Sequence, residues 1–170
     1  IVTGAGSGFG EGIATRFVEE GAKVIVADIN GESAERVAGN LENALPCTVD
    51  VTRMDEVKSM VDMAVREFGG LDVMVNNAGI AQRNGPMLDV PEEVFDRIYA
   101  VNVKSIYLSA LHAVPQLRQR GGGVIINTAS TAAISPRPGL TWYNGSKGAV
   151  VTLTKSMAVE LAPDNIRVNA

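Results

Sequence analysis

The chain has 170 residues, 46% of them hydrophobic and 20% charged, so it can bury a core without disulfides or metals and matches a globular composition rather than disorder or membrane insertion. A formal net charge of −4, with fifteen Lys and Arg residues spread along the chain, disfavours nucleic acid or an anionic membrane as partner and leaves a small molecule as the expectation. With a single cysteine, no leader-like segment and no apolar run near the ~18 residues that span a bilayer, the cytoplasm is the expected compartment.

Residues 1–3 form a short β-rich run that reads as a strand entered in mid-element. It leads at once into Thr3-Gly4-Ala5-Gly6-Ser7-Gly8-Phe9-Gly10 and a helix over about 10–20 that ends at Gly21. Glycines between a strand and a helix permit a tight turn and let backbone N–H groups approach a phosphate at the helix N-terminus. A plain structural turn is the competing reading. A nucleotide-hydrolysing loop places Lys directly after its last glycine, whereas Glu11 follows Gly10, which disfavours a kinase.

The second strand, over 23–28, ends on Asp28, about 20 residues beyond the glycines, where a carboxylate can accept hydrogen bonds from adenosine ribose hydroxyls. The same charge would repel a 2′-phosphate, and no Arg stands among Ile29-Asn30-Gly31, so NAD is expected over NADP. Helix capping is the alternative role for Asp28. A third strand is expected over 47–51, with Cys47 as an inert core thiol. The clearest helix is Met54–Phe68, where Val57, Val61, Ala64, Val65 and Phe68 mark one face and Gly69-Gly70 stops it.

After a fourth strand over 71–76, a long helical pattern spans 91–119, with Val94, Ile98, Val101, Leu108, Leu111 and Leu117 as apolar markers. Asn102 suits a helix interior poorly and predicts a break there, its side chain or freed carbonyl available to a water. The fifth strand, 123–128, precedes Ser130, whose hydroxyl can donate to a substrate oxygen, with Thr128 and Thr131 as competing hydroxyls. A helix over 142–161 puts Tyr143 and Lys147 one turn apart on one face. A free phenol titrates near pH ~10, and an adjacent ammonium is the direct means of bringing its proton exchange nearer neutrality; the bland counterpart is a solvated Tyr/Lys pair.

The sixth strand is Ile166–Asn169, and the chain reads as stopping in or just after it. His112, the sole histidine, has no Cys, Asp or Glu partners at ligand spacing, so no metal site is expected. Strands alternating with amphipathic helices, and no linker or repeat, predict one α/β domain over 1–170: a doubly wound parallel sheet with helices on both faces.

These motifs, in this order, resemble the short-chain dehydrogenase/reductase family over essentially all 170 residues. The resemblance implies a Rossmann-type fold and a cofactor site built from Gly4, Ser7, Gly8, Phe9 and Gly10, from Asp28 and Ile29, from Asp50 and Val51 at the adenine, and from Asn76, Ala78 and Gly79. Tyr143 and Lys147 would reach the nicotinamide side. Asn102, Ser130, Tyr143 and Lys147 match the family tetrad, with Tyr143-Asn144-Gly145-Ser146-Lys147 as its Tyr-x-x-x-Lys signature. The implied activity is NAD(P)-dependent interconversion of a secondary alcohol and a ketone, as in 3-oxoacyl carrier-protein reductases, with a polyol or sugar dehydrogenase as the alternative. An extended epimerase-like relative and a non-catalytic dinucleotide-binding scaffold are further alternatives. By resemblance the protein is truncated at its C-terminus, lacking the last strand and the substrate lobe, and assembles as a homotetramer. Ile106, Leu111, Val150, Val151 and Met157 are candidates for that interface or for the protein's own core, and residues 132–140 with Trp142 for the substrate side.

Overall fold

The computed structural model describes all 170 residues. In chain order the elements are β1 (Val2–Thr3), α1 (Gly8–Glu19), β2 (Val24–Asp28), α2 (Gly31–Gly39), β3 (Ala44–Thr48), α3 (Met54–Phe68), β4 (Val73–Asn76), α4 (Glu92–Tyr99), a π-helical turn (Ala100–Lys104), α5 (Ser105–Gln119), β5 (Gly123–Asn127), α6 (Thr141–Leu161) and β6 (Ile166–Asn169). The six strands form one sheet in the order β3-β2-β1-β4-β5-β6, and every pairing is parallel. This is the expected doubly wound α/β fold. The order reverses between β1 and β4, and in open sheets of this kind the crevice at that reversal, beyond the carboxyl ends of the strands, is where ligands bind.

Burial on both faces explains the near-continuous apolar strands. Val2, Val24, Val26 and Val75 face α1 and α2, packing with Ala14, Ala34 and Val37. Ile25, Ala27, Met74 and Ile125 face the opposite way, against Val57, Met60 and Val61 of α3, Leu108 and Leu117 of α5 and Leu161 of α6. Each fully buried Val, Leu or Ile contributes roughly 1.5–3 kcal/mol through apolar area removed from water. The central strand β1 survives at two residues because it is paired on both sides, Val2 with Val26 and with Val75.

Two local expectations need correction. The third strand is Ala44–Thr48, not 47–51: Ala27 registers with Cys47 and Asp28 with Thr48. Residues 50–52 instead form a turn in which Asp50 Oδ1 accepts from the Thr52 N–H at 2.9 Å and its hydroxyl at 2.7 Å. Pro46 fits within β3 because this strand lies at the sheet edge. Cys47 is half-buried and packs against the core rather than within it; burial, reinforced by Glu56, pushes its thiol above the usual value and away from the reactive thiolate. The predicted break at Asn102 is a π-helical turn joining α4 to α5.

Candidate active site

The cleft opens where β1 and β4 end side by side. Thr3 closes their seam: its Oγ1 donates to the Val75 carbonyl at 3.2 Å and accepts from the N–H groups of Asn77 at 3.0 Å and Ala78 at 3.1 Å. Asn77 Nδ2 returns to the Thr3 carbonyl at 2.9 Å and the Gly4 carbonyl at 3.2 Å. Backbone packs so closely here that side chains are excluded. A Cβ on Gly10 would stand 2.0 Å from the Gly4 oxygen and 2.6 Å from Asn77 Nδ2, and one on Gly4, whose φ is +62°, would stand 2.9 Å from the Ala78 Cα.

Ser7 precedes α1 in extended conformation and its side chain makes no capping bond. The first-turn N–H groups of α1, at the positive end of the helix, therefore remain open to an anion. The adjoining cleft encloses about 440 Å³ and is lined by Gly4, Ser7, Phe9, Gly10, Asp28, Ile29, Asp50, Val51, Ala78 and Gly79, ten of the expected cofactor contacts. Phe9 is 85% exposed and Ile29 59%, leaving two apolar side chains at its rim.

Asp28 is held ready rather than used as a cap. Its Oδ2 accepts the Gly6 N–H at 2.8 Å and its Oδ1 the Asn30 N–H at 2.9 Å. The capping role belongs to Asn30, which accepts the Ser33 N–H at 3.0 Å at the start of α2. At the Asp50 carboxyl, burial acts upward but is outweighed by the Thr52 hydrogen bonds and by Arg97 and Arg53, which hold it below the ordinary carboxylate value. Gly8, at φ +57°, takes the left-handed turn into α1 with open space around it, outside the cleft lining.

Asn76 does not line the cleft. Its side chain turns inward, donating to Asn127 Oδ1 at 2.8 Å, and Asn127 in turn donates to Thr154 Oγ1 at 3.0 Å, a buried chain that ties β4, β5 and α6 together. Successive strand side chains face opposite ways, so the neighbour Asn77 is the residue that lines the cleft.

Three of the four expected polar residues, Asn102, Tyr143 and Lys147, lie close together beside Gly79. Lys147 is 5% exposed; its Nζ donates to the Thr128 carbonyl at 2.7 Å and lies 5.9 Å from the centre of the Tyr143 ring. Burial holds its ammonium below the usual lysine value. A Cβ on Gly79 would sit 3.3 Å from that Nζ and 3.4 Å from Asn102 Oδ1, so the glycine leaves room for both.

Asn102 is 2% exposed: its Oδ1 accepts from the Ile80 N–H, while Nδ2 donates to the Ile80 carbonyl and to Ser146 Oγ, each at 2.9 Å. Ser130 Oγ accepts the Ala132 N–H at 3.1 Å, leaving its own proton free to donate. Of its rivals, Thr128 is directed to Asn77 Oδ1 at 3.3 Å and Thr131 is exposed.

A sequence profile of the short chain dehydrogenase family matches residues 1–170. The chain belongs to that family. It is 49% identical over 174 residues to 4-formylbenzenesulfonate dehydrogenase of Comamonas testosteroni, covering all of this chain and 69% of that protein. It is 41% identical over 177 residues to 2-(R)-hydroxypropyl-CoM dehydrogenase of Xanthobacter autotrophicus, covering 71% of it. The crystal structure of 3-ketoacyl-(acyl-carrier-protein) reductase from Brucella melitensis, complexed with NADH, superposes with a TM-score of 0.96 at 47% identity over 98% of this chain and 71% of that one.

This short chain dehydrogenase also holds its site with residues that no local pattern marks. Gln82, 6% exposed, accepts the Tyr143 N–H on Oε1 at 2.9 Å, while its Nε2 has no partner. Leu140 at the start of α6 offers no capping group, so Gln82 caps that turn from a distant loop. Ser146 Oγ donates to the Tyr143 carbonyl at 2.7 Å, fixing the same turn from the other side. Around the start of α6, Asn84 Nδ2 donates to the Pro138 carbonyl at 3.0 Å, Asn144 Nδ2 to the Arg137 carbonyl at 2.9 Å and Trp142 Nε1 to the Met87 carbonyl at 3.1 Å. These bonds join residues 84–87 to 137–144 into one rim. Leu88 at 87% and Ile134 at 82% exposure add apolar side chains among the polar ones of the same segments.

Of the five interface candidates, Ile106 and Val150 are buried in the protein's own fold, Val151 and Met157 are half-buried, and Leu111 is 43% exposed. Leu111 and Met157 border an apolar groove between α5 and α6.

Proposed function

We propose that this chain is the cofactor-binding and catalytic part of an oxidoreductase that interconverts a secondary alcohol and a ketone with NAD. The observation that carries the reading is Lys147: a nearly buried ammonium with a single protein acceptor, 5.9 Å from the Tyr143 ring, beside Gly79 of the cleft lining. The cleft fits a dinucleotide. Gly4 at φ +62° and the uncapped start of α1 suit a pyrophosphate, Asp28 the adenosine ribose and Asp50 with Val51 the adenine, while Lys147 and Tyr143, beyond the lining and next to Gly79, would take the nicotinamide ribose. NAD supplies the hydride acceptor when bound.

The protein's own groups handle the proton. In alcohol oxidation the Tyr143 phenolate accepts the substrate hydroxyl proton, Lys147 stabilises that phenolate, and Ser130 donates a hydrogen bond to the substrate oxygen. In reduction Tyr143 returns the proton to the alkoxide. Asn102 holds residues 79–80 against α6 and with them the space occupied by Lys147. The Brucella neighbour favours a 3-oxoacyl thioester as substrate, with polyols as the alternative. The groove between α5 and α6 is consistent with a homotetramer, and the cytoplasm is the proposed compartment.

The test is Tyr143→Phe in the full-length protein, with 3-oxoacyl thioesters, polyols and secondary alcohols as substrates and NADH absorbance as readout. Turnover should fall at least ~100-fold with NADH binding retained. Turnover close to wild type would overturn the assignment.

A further inference from the structure

Arg36 lies on α2, outside the machinery described above, yet it reaches the cofactor loop. Its Nη2 donates to the Gly6 carbonyl at 2.9 Å, while Nη1 and Nη2 each donate to one oxygen of Glu11 at 3.0 Å. On the other side of the same glycine, the Gly6 N–H donates to Asp28 Oδ2 at 2.8 Å. One residue's width therefore separates the Arg36 guanidinium from the carboxylate that faces the ribose. Nothing larger than glycine fits between: a Cβ on Gly6 would lie 2.8 Å from Ser33 Cβ and 2.9 Å from the Asp28 carboxyl.

A guanidinium beside an adenosine ribose is the group best shaped to bind a 2′-phosphate, through paired, charge-assisted hydrogen bonds. Here both of its terminal nitrogens are turned to Glu11, and the two charges cancel. Arg36 stands behind the Gly6 turn rather than in the cleft lining, and the one cation that does line the cleft, Arg97, lies toward Asp50. We infer that Glu11 determines dinucleotide specificity alongside Asp28, by occupying Arg36 and so withholding it from a 2′-phosphate. This rests on the reading of the cleft as a dinucleotide site. Neutralising Glu11 leaves the guanidinium near the cleft, because the Gly6 carbonyl still holds Nη2.

Equilibrium titration of the full-length protein with NADH and with NADPH, followed by nucleotide fluorescence without substrate, tests this independently of turnover. Glu11→Gln should tighten NADPH about three- to tenfold and leave NADH within about twofold, as expected for one charge-assisted contact at a solvent-exposed site. Adding Arg36→Gln should abolish the gain. Equal weakening of both nucleotides would overturn the inference, because the pair would then only brace the loop. A gain that survives Arg36→Gln would overturn it too, leaving simple repulsion by Glu11. Asp28→Asn separates the two levels. If it raises the NADPH-to-NADH affinity ratio while Glu11→Gln does not, this inference alone fails; if wild type binds neither nucleotide, or Asp28→Asn leaves the ratio unchanged, the reading of the cleft fails and this inference with it.

Discussion

Replacing Gln82 by methionine should uncouple stability from activity. Gln82 Oε1 holds the Tyr143 N–H at 2.9 Å, one of the first-turn donors of α6 that have no intrahelical acceptor. Losing such a cap costs about 0.5–2 kcal/mol. The Gln82 Nε2, however, is buried with no acceptor, and removing an unsatisfied buried donor returns about 1–3 kcal/mol. Methionine has similar length and fills the same space, so packing is conserved. The two effects offset to within about 1–2 kcal/mol, equivalent to a shift in Tm of only about 2–8 °C in either direction for a chain of this size. Activity has no such compensation. Tyr143 loses its main-chain anchor, and a displacement of about 1 Å at a reacting group costs on the order of 100-fold in rate. Thermal unfolding and steady-state kinetics on the same preparation provide the assay, with Gln82→Glu, which keeps the acceptor oxygen, as the control whose kcat stays close to wild type. The reasoning fails if Gln82→Met keeps full kcat, or if lost kcat is explained by a large fall in Tm.

Gly10→Ala should abolish dinucleotide binding in a titration followed by fluorescence, because its Cβ would stand 2.0 Å from a backbone oxygen that no rotamer change can move; wild-type affinity would refute the packing argument. Lys147→Met should remove turnover yet unfold at the same or a higher temperature near neutrality, since it deletes a charge that burial disfavours. The pH dependence has a definite sign. A lysine whose folded value is lowered gives up its proton in the native state while the unfolded chain, titrating near 10.5, retains it, so stability rises with pH from the lowered value toward that limit. Denaturant unfolding across the alkaline range should show this rise in wild type and lose it in Lys147→Met.

The parallel sheet was legible in the alternation of apolar runs and amphipathic helices, because burial on both faces imposes continuous Val and Ile on the strands themselves. Strand β3 was not. At the sheet edge its side chains are only partly buried, and the apolar signal around Cys47 and Val49 marked the turn after it as strongly as the strand. Helix α2 carries little apolar signal of its own, since its buried face is only Ala34, Val37 and Ala38. The neighbours Asn76 and Asn77 show the limit most clearly: identical residues, one committed to the buried Asn127 and one to the Gly4 turn, separated only by which side of β4 each faces.

Local sequence alone determined the glycine turn, the carboxylate at the end of β2 and the Tyr143–Lys147 spacing, because each depends on a few consecutive residues and one element's geometry. Only the tertiary structure decided which groups brace them: Gln82 on Tyr143 across 61 residues, Asn102 on Ile80 and Ser146, and Arg36 between Glu11 and Gly6. These contacts join segments far apart in the chain that meet only when successive β–α units pack side by side on the sheet. No periodicity in the chain encodes that meeting; it follows from the strand order itself.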